Sequence, residues 1–290
     1  MKPNFIFILG TLTFFFIACK DEKGFAPKLE SVELKDASDS INTKGNILSE
    51  RIIAPKGYHR IEVQSNSFAS YLRNIALRPH DAEVKYFDGS TKSNNNVYCA
   101  VVDQNIGARD LHQCADAVIR LKADYHWRQK EFDKIHFNLT NGFNVPYKRW
   151  MEGDRVKVTG NKTEWYSTNK HSNTYDNFWS YLEFVFTYAG TASLSKELES
   201  VPFKDIQIGD VLIQGGFPGH AVIVMDLAFN PQNNKKLFLL AQSYMPAQTL
   251  QILINPRNSN LSPWYELNDE RKVITPEWTF SPQDLKRFSE

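Results

Sequence analysis

Residues 210–255 read DVLIQGGFPGHAVIVMDLAFNPQNNKKLFLLAQSYMPAQTLQILIN and contain four short apolar runs. The segments between the runs are rich in glycine, proline and asparagine, which adopt turn conformations readily. Apolar runs of this length between turn signals predict β-strands. We therefore expect an antiparallel β-meander built from residues 211–213, 220–227, 237–244 and 250–254.

Helices are predicted on the N-terminal side of this meander. Ser67 and the residues before it can cap a helix that Pro79 closes. Asp110 is predicted to cap a second helix, with Gln113 three residues later as in a capping box. Cys114 then falls in the opening turn of that helix.

The remaining assignments complete one α+β domain over residues 51–290. Residues 97–102 are apolar and predict a strand, whereas the length of the apolar segment at 178–189 favours a helix. Residues 132–177 mix aromatic and polar side chains, and their pattern predicts no particular structure.

Composition excludes several classes of function. The chain has 290 residues, with 34 Lys and Arg against 33 Asp and Glu and a formal net charge of +1. A near-neutral chain has no long-range field to attract nucleic acid, so no nucleic-acid partner is expected. The phosphate-binding, dinucleotide-binding, zinc-protease and paired-cysteine motifs are all missing from the sequence, which predicts no cofactor and no metal.

The N-terminus predicts export and a lipid anchor. Residues 5–18 form an apolar run that is shorter than the roughly 20 residues needed to span a bilayer, and residues 1–18 fit a signal peptide. The run ends in Phe16-Ile17-Ala18-Cys19, which resembles the lipobox of bacterial lipoproteins. The resemblance implies that Cys19 is acylated (palmitate among the acyl groups) and becomes the mature N-terminus; an ordinary cleaved signal is the alternative.

The following segment predicts where the domain is displayed. Residues 19–50 are polar, without sustained periodicity, and are interpreted as the lipidated N-terminus and a flexible tether. Lys20, Asp21 and Glu22 look like the surface-export signal of lipoproteins from Bacteroidetes, although charged residues in a linker are also commonplace. We expect an outer-membrane lipoprotein that faces either the periplasm or the cell surface. Lys20, Asp21 and Glu22 favour the cell surface.

Cys114 is the first candidate for chemistry. At a helix N-terminus the backbone N–H groups and the helix dipole can stabilise a thiolate, as in nucleophilic cysteines. Two other interpretations stay open: a buried core thiol, or a disulfide with Cys99 in an oxidising compartment.

His220 is the second candidate, because it opens a strand directly after a glycine-rich turn. A hairpin centred on Pro231 would pair Val224 with Phe238 and place His220 opposite Gln242. A polar residue facing a histidine can orient its imidazole. A histidine with a purely structural role is the alternative.

Cys114 at a helix start, the strand Gly-His-Ala-Val-Ile-Val that begins at Gly219, and the polar Gln242 on the next strand resemble the papain-like cell-wall peptidases of the NlpC and CHAP type. The resemblance implies a papain-like packing of the cysteine-bearing helix on the meander. It also implies that Cys114 is the nucleophile, His220 the general base and Gln242 the residue that orients the imidazole. Such enzymes cleave amide bonds in peptidoglycan peptides or related substrates.

A longer resemblance covers the chain from about Arg51 to its C-terminus. Its motifs are RDLHQCADAV at 109–118, GFPGHAV at 216–222, LAQSYMPAQ at 240–248 and TPEWTF at 275–280. They look like a lipoprotein family typified in Bacteroidetes whose domain has no assigned function.

Two hypotheses follow for the function. The first is a lipid-anchored thiol hydrolase that acts on a peptide or amide bond, with peptidoglycan peptides as a candidate ligand. The second is a catalytically inactive binding or assembly lipoprotein on the same scaffold.

His112, His126 and His136 lack metal-site spacing and are predicted to be surface residues. A set of aromatic residues can line a substrate groove or belong to the core: Trp165, Tyr166, Trp179 and Tyr181.

Overall fold

The structure is a computed structural model that describes residues 40–268 and 271–289. The predicted signal peptide at 1–18, the lipidation site Cys19 and the export-signal residues Lys20, Asp21 and Glu22 lie outside the described residues. Within the described ranges, none of the helices combines the length and the apolar character that crossing a bilayer requires.

The described chain contains fifteen strands, most of them short, and six α-helices. Its strands are β1 (His59–Arg60), β2 (Tyr98–Val101), β3 (His136–Asn138), β4 (Asn144–Pro146), β5 (Asp154–Thr159), β6 (Lys162–Ser167), β7 (Glu199–Ser200), β8 (Val211–Gln214), β9 (His220–Asn230), β10 (Lys235–Gln242), β11 (Gln251–Leu253), β12 (Tyr265–Glu266), β13 (Val273–Ile274), β14 (Thr279–Phe280) and β15 (Leu285–Arg287). Its α-helices are α1 (Leu48–Arg51), α2 (Phe68–Arg73), α3 (Cys114–Arg128), α4 (Tyr147–Met151), α5 (Tyr175–Tyr188) and α6 (Thr191–Glu197).

The predicted meander is confirmed as the centre of a mixed α and β fold. Strands β8, β9, β10 and β11 are antiparallel neighbours in a nine-stranded sheet of order β2-β11-β10-β9-β8-β15-β7, with β1 and β12 attached to β9 and β10. Strand β9 is buried along nearly its whole length, because neighbouring elements cover both of its faces. Its apolar residues therefore do not alternate with polar ones, as they would in a strand with one solvent-exposed face.

One charged residue interrupts the apolar run of β9. Asp226 is fully buried and pairs with Arg60 and Arg73, each through a contact of 2.6 Å. A buried carboxylate is tolerated when it is paired and hydrogen-bonded. This pairing ties β1 and α2 to the central strand.

Helix α3 packs against β9 and positions the candidate cysteine. Buried residues occur around most of its circumference, including Val118, Ile119 and Leu121. Burying an aliphatic side chain of this size contributes roughly 1.5–3 kcal/mol relative to leaving it exposed. The helix is therefore held as an internal element, and its first residue cannot shift without disturbing the core.

The other helix predictions were confirmed with different bounds. The hydroxyl of Ser67 accepts the backbone N–H of Ser70 at 3.1 Å, as a helix N-cap should, but α2 ends at Arg73, well before Pro79. The predicted helix at 178–189 is α5. The unassigned segment 132–177 contains the two hairpins β3–β4 and β5–β6 with α4 between them.

The folded part begins earlier than the predicted boundary at residue 51. Leu48 is completely buried in α1, and Ile41 forms a β-bridge with Ile52. The hydroxyl of Ser40 also donates a hydrogen bond to the carbonyl of Ser262 at 3.0 Å. Residues 40–50 therefore belong to the domain and are not part of a flexible tether.

Candidate active site

Cys114 is the first residue of α3, as the sequence predicted. The residue that precedes the helix is Gln113, whose backbone N–H donates to the Asp116 carboxylate at 3.0 Å. The prediction that Asp110 caps the helix is wrong. Its carboxylate instead accepts the backbone N–H of Ala247 at 2.7 Å, which ties the start of α3 to the loop after β10.

The thiol of Cys114 is mostly buried, with 8% of the residue exposed. Its sulfur lies near the backbone N–H of Ala221, the residue directly after His220. Burial, and then the Asp116 charge, raise the pKa of Cys114 to about 11, although hydrogen bonds from the N–H groups of Ala221 and Ala115 act in the opposite direction. The expected helix-stabilised thiolate is therefore outweighed by desolvation, and the resting group is a neutral thiol.

The alternative of a disulfide with Cys99 is not what the structure shows. Cys99 and Cys114 are both free. The Cys99 thiol donates toward the carbonyl of Ile252 at 3.7 Å, and burial raises its pKa to about 12.

His220 begins β9 and lies beside Gln214 of β8. It is 1% exposed, and its Nε2 lies 2.8 Å from Oε1 of Gln242, which is equally buried. The predicted contact between His220 and Gln242 is thus present.

The backbone register that led to this contact is different from the predicted one. Val224 pairs with Leu240 instead of Phe238, and a β-bulge separates Leu239 from Leu240. Gln242 pairs with Gln251 of β11. Its side chain therefore reaches His220 along the sheet face and not from the directly opposite position.

Aromatic rings surround the imidazole of His220. The ring centroids of Tyr244, Trp278 and Phe280 lie 4.7, 5.3 and 5.9 Å from it. This burial lowers the pKa of His220 to about 4; the hydrogen bond to Gln242 raises it, and the charge of Lys92 lowers it further. His220 is therefore a neutral base at neutral pH.

A chain of polar side chains continues beyond Gln242. Gln242 donates its Nε2 to Glu277 at 2.7 Å, and Glu277 forms a salt bridge with the buried Lys92 at 2.9 Å. The sequence reasoning assigned no role to Lys92 or Glu277. The available signal was the segment TPEWTF at 275–280, which carries both Glu277 and Trp278.

Cys114 lines a groove of about 260 Å³. The groove wall is formed by the start of α3, by residues 189–192 and by the glycine-rich loop before β9, and its charged lining residues are Asp110 and Asp116. Phe217 stands at the groove and is 98% exposed. Of the three candidate residues, Cys114 lines this groove, whereas His220 and Gln242 are buried and are not among its lining residues.

The predictions for the other histidines and for the aromatic set have mixed outcomes. His112 and His126 are buried, so their prediction as surface residues is wrong, whereas His136 is exposed. Tyr181 belongs to the core and donates its hydroxyl to the carbonyl of Val145 at 2.7 Å. The groove at Cys114 is not lined by any of the aromatic set Trp165, Tyr166, Trp179 and Tyr181.

Within residues 40–268 and 271–289, no three His, Cys, Asp or Glu side chains come together in a way that could hold a metal ion.

The sequence matches, over residues 48–287, a protein family described as a domain of unknown function (4846). The chain belongs to this family. The matched range includes Cys114, His220, Gln242 and Glu277. No curated protein and no solved structure matches the chain with significance.

Proposed function

We propose that this protein is a thiol hydrolase of the cell envelope that cleaves a peptide or amide bond, with peptidoglycan peptides as the first substrate class to test. The observation that carries the proposal is that the start of α3, which holds Cys114, packs beside the start of β9, which holds His220. The Cys114 sulfur lies near the N–H of Ala221, the residue next to His220, and His220 Nε2 is hydrogen-bonded to Gln242 at 2.8 Å. The papain-like resemblance implies the same order of cysteine, histidine and polar residue along the chain, and the same role for each.

The neutral thiol and neutral imidazole define how the reaction starts. His220 binds Gln242 through Nε2, so Nδ1 is the ring nitrogen that takes the Cys114 proton. As the proton leaves, the sulfur attacks the carbonyl carbon of the substrate, and the carbonyl oxygen becomes an oxyanion. This is general-base catalysis, not attack by a preformed thiolate.

The remaining steps follow from the same groups. Backbone N–H groups at the start of α3 are the candidate donors to the oxyanion. The protonated His220 then gives its proton to the leaving amine as the C–N bond breaks, which leaves a thioester on Cys114. Water, deprotonated by the neutral His220, attacks the thioester, and the proton returns to the sulfur as the acid product leaves.

The location of the protein in the cell envelope is part of the proposal. Acylation at Cys19 would hold the domain on the outer membrane, because two acyl chains anchor a protein where one does not.

The test uses a chain that begins at Lys20, incubated with purified peptidoglycan fragments and analysed by mass spectrometry. We expect one amide bond to be cleaved by the wild type and by Cys99→Ala, and no cleavage by Cys114→Ala. Cys99 is the matched control because it is also a free thiol on the same domain. Cleavage by Cys114→Ala at the wild-type rate would refute the assignment of the nucleophile.

A second candidate function is a binding or assembly lipoprotein without turnover. The burial of Cys114 and its pKa of about 11 favour it, because many nucleophilic cysteines have a lowered pKa. Full complementation of a deletion strain by Cys114→Ala would support this function over the hydrolase.

A further inference from the structure

The side-chain amide of Gln242 has two different ends, and the structure gives each end a partner. Its Oε1 lies 2.8 Å from His220 Nε2, and its Nε2 donates to Glu277 Oε2 at 2.7 Å. A carboxylate only accepts hydrogen bonds. Glu277 therefore selects the NH₂ end of Gln242 and turns the oxygen of the amide toward His220.

This orientation fixes where the proton of a neutral His220 lies. An amide oxygen accepts hydrogen bonds, so Nε2 of His220 must carry the hydrogen in order to donate to it. A neutral imidazole has a single N–H, which leaves Nδ1 unprotonated. The ring nitrogen that must accept the Cys114 proton is thereby kept free to do so.

We infer that Glu277 is a positioning residue that sets the tautomer of His220 through the amide of Gln242. Its catalytic consequence rests on the proposed hydrolase function, whereas its effect on the tautomer does not. Glu277 lies on the turn between β13 and β14, more than thirty residues beyond Gln242 in the sequence.

Lys92 keeps the Glu277 carboxylate in place. Its Nζ donates to both carboxylate oxygens at 2.9 Å and to Oε1 of Gln248 at 2.9 Å. Lys92 is 3% exposed, so this ion pair is shielded from water on the lysine side. A buried ammonium that lost its carboxylate would be left with an uncompensated charge, and the pair is therefore retained as a unit.

The substitution Glu277→Gln puts two demands in conflict. Oε2 of Glu277 accepts from both Lys92 and Gln242, whereas Oε1 accepts from Lys92 alone, and an amide keeps one oxygen. An oxygen in the place of Oε2 turns the new NH₂ onto the buried Lys92 ammonium, a clash between donors that no rotation of Lys92 removes. An oxygen in the place of Oε1 leaves the new NH₂ facing the NH₂ of Gln242, and that clash is relieved when Gln242 reverses. Its NH₂ then faces Nε2 of His220, and the proton of His220 moves to Nδ1, the nitrogen that should accept the Cys114 proton.

The primary experiment measures the tautomer by ¹⁵N NMR at pH 7, where His220 is neutral, on the chain beginning at Lys20. We expect wild-type His220 to be protonated at Nε2, and the Nδ1-protonated form to become populated in Glu277→Gln. Glu266→Gln is the matched control, because Glu266 also pairs with a lysine, Lys235 at 2.9 Å, on the distant strand β12. This control should leave the His220 signals unchanged.

The second readout is the rate of amide cleavage. We expect Glu277→Gln to lower kcat by about 10- to 100-fold, because a wrongly placed proton blocks general-base catalysis. KM should change little, since Glu277 does not line the groove.

Each outcome decides one question. A wild-type His220 protonated at Nδ1 overturns the inference even if Glu277→Gln does not fold. An unchanged tautomer in folded Glu277→Gln also overturns it, whether or not hydrolysis is detected. The expected tautomers without any amide cleavage by the wild type would contradict the hydrolase proposal and leave the positioning role of Glu277 standing.

Discussion

His220 Nε2 and Gln242 Oε1 lie 2.8 Å apart, although neither residue is the backbone partner of the other. His220 pairs with Gln214 on one side, and Gln242 pairs with Gln251 on the other. The contact depends on where the β-bulge in β10 places the end of that strand. The two residues are thus joined by a side-chain contact along the sheet face and not by direct strand pairing.

Removing the amide of Gln242 should impair the proposed amide cleavage more than it impairs the fold. For Gln242→Ala we expect kcat to fall by about 10- to 100-fold, because the imidazole loses its orienting partner. The free energy of unfolding should fall by about 1–3 kcal/mol, because buried polar groups are left unpaired. Steady-state kinetics and urea unfolding measure the two effects.

Gln251→Ala is the control for that substitution. Gln251 is an equally buried glutamine on the neighbouring strand, and its amide donates to Gln248 instead of His220. A similar loss of kcat in both variants would contradict a specific role for Gln242.

The proposed amide cleavage should not lose rate near pH 6.5, where an ordinary catalytic histidine becomes protonated. Burial lowers the pKa of His220 to about 4, so the base stays neutral and active down to about that pH. Below it, protonated His220 cannot accept the Cys114 proton, and kcat/KM should fall. A profile of kcat/KM from pH 3.5 to 9 tests this; an acid limb near pH 6.5 would show that His220 is not the base or that it is well solvated.

His112 should make the fold sensitive to acid. It is completely buried, and burial lowers its pKa to about 3. Between the pKa of about 6.5 in the unfolded chain and this folded value, the unfolded state binds more protons, so the free energy of unfolding falls as the pH falls. One pKa unit corresponds to about 1.4 kcal/mol, so the loss from pH 7 to pH 4 is roughly 3 kcal/mol at most.

His112→Leu should remove that part of the acid sensitivity, measured by urea unfolding at pH 7 and pH 4. The exposed His136 provides the control His136→Ala. Asp116 and Asp124 have raised pKa values and act in the opposite direction, but they are present in every variant and cancel in the comparison. Equal pH slopes for the wild type and His112→Leu would contradict the prediction.

Gly219 should not tolerate a side chain. A Cβ at this position would lie 2.3 Å from the hydroxyl of Thr191 and 2.6 Å from the carbonyl oxygen of Gly216. Backbone oxygens cannot move away freely, so Gly219→Ala should destabilise the fold by about 1–3 kcal/mol and displace the neighbouring His220.

Gly190→Ala is the matched control, measured by thermal unfolding and kcat. Gly190 lines the same groove, yet a Cβ there would meet nothing within 4 Å. Comparable losses in the two variants would show that the close approach at Gly219 is not the cause.

The elements that carry the candidate residues were predictable because their signals are local. The apolar runs and the glycine, proline and asparagine between them predicted β8 to β11, and the position of Cys114 at the start of a helix was predicted correctly. The capping residue was not predictable, because the Asp110 carboxylate accepts the N–H of Ala247, more than one hundred residues away. Local sequence contains no information about such a competitor.

The sequence by itself determined a family, a central meander, and a cysteine at the start of a helix followed by a histidine at the start of a strand. Only the tertiary structure decided the protonation states, because desolvation depends on which distant elements cover a group. It buried Cys114 enough to outweigh the helix N-terminus, enclosed His220 in aromatic rings, and brought Lys92 and Glu277 to Gln242. These effects arise from packing between segments far apart in the chain, which the spacing of residues along the sequence does not record.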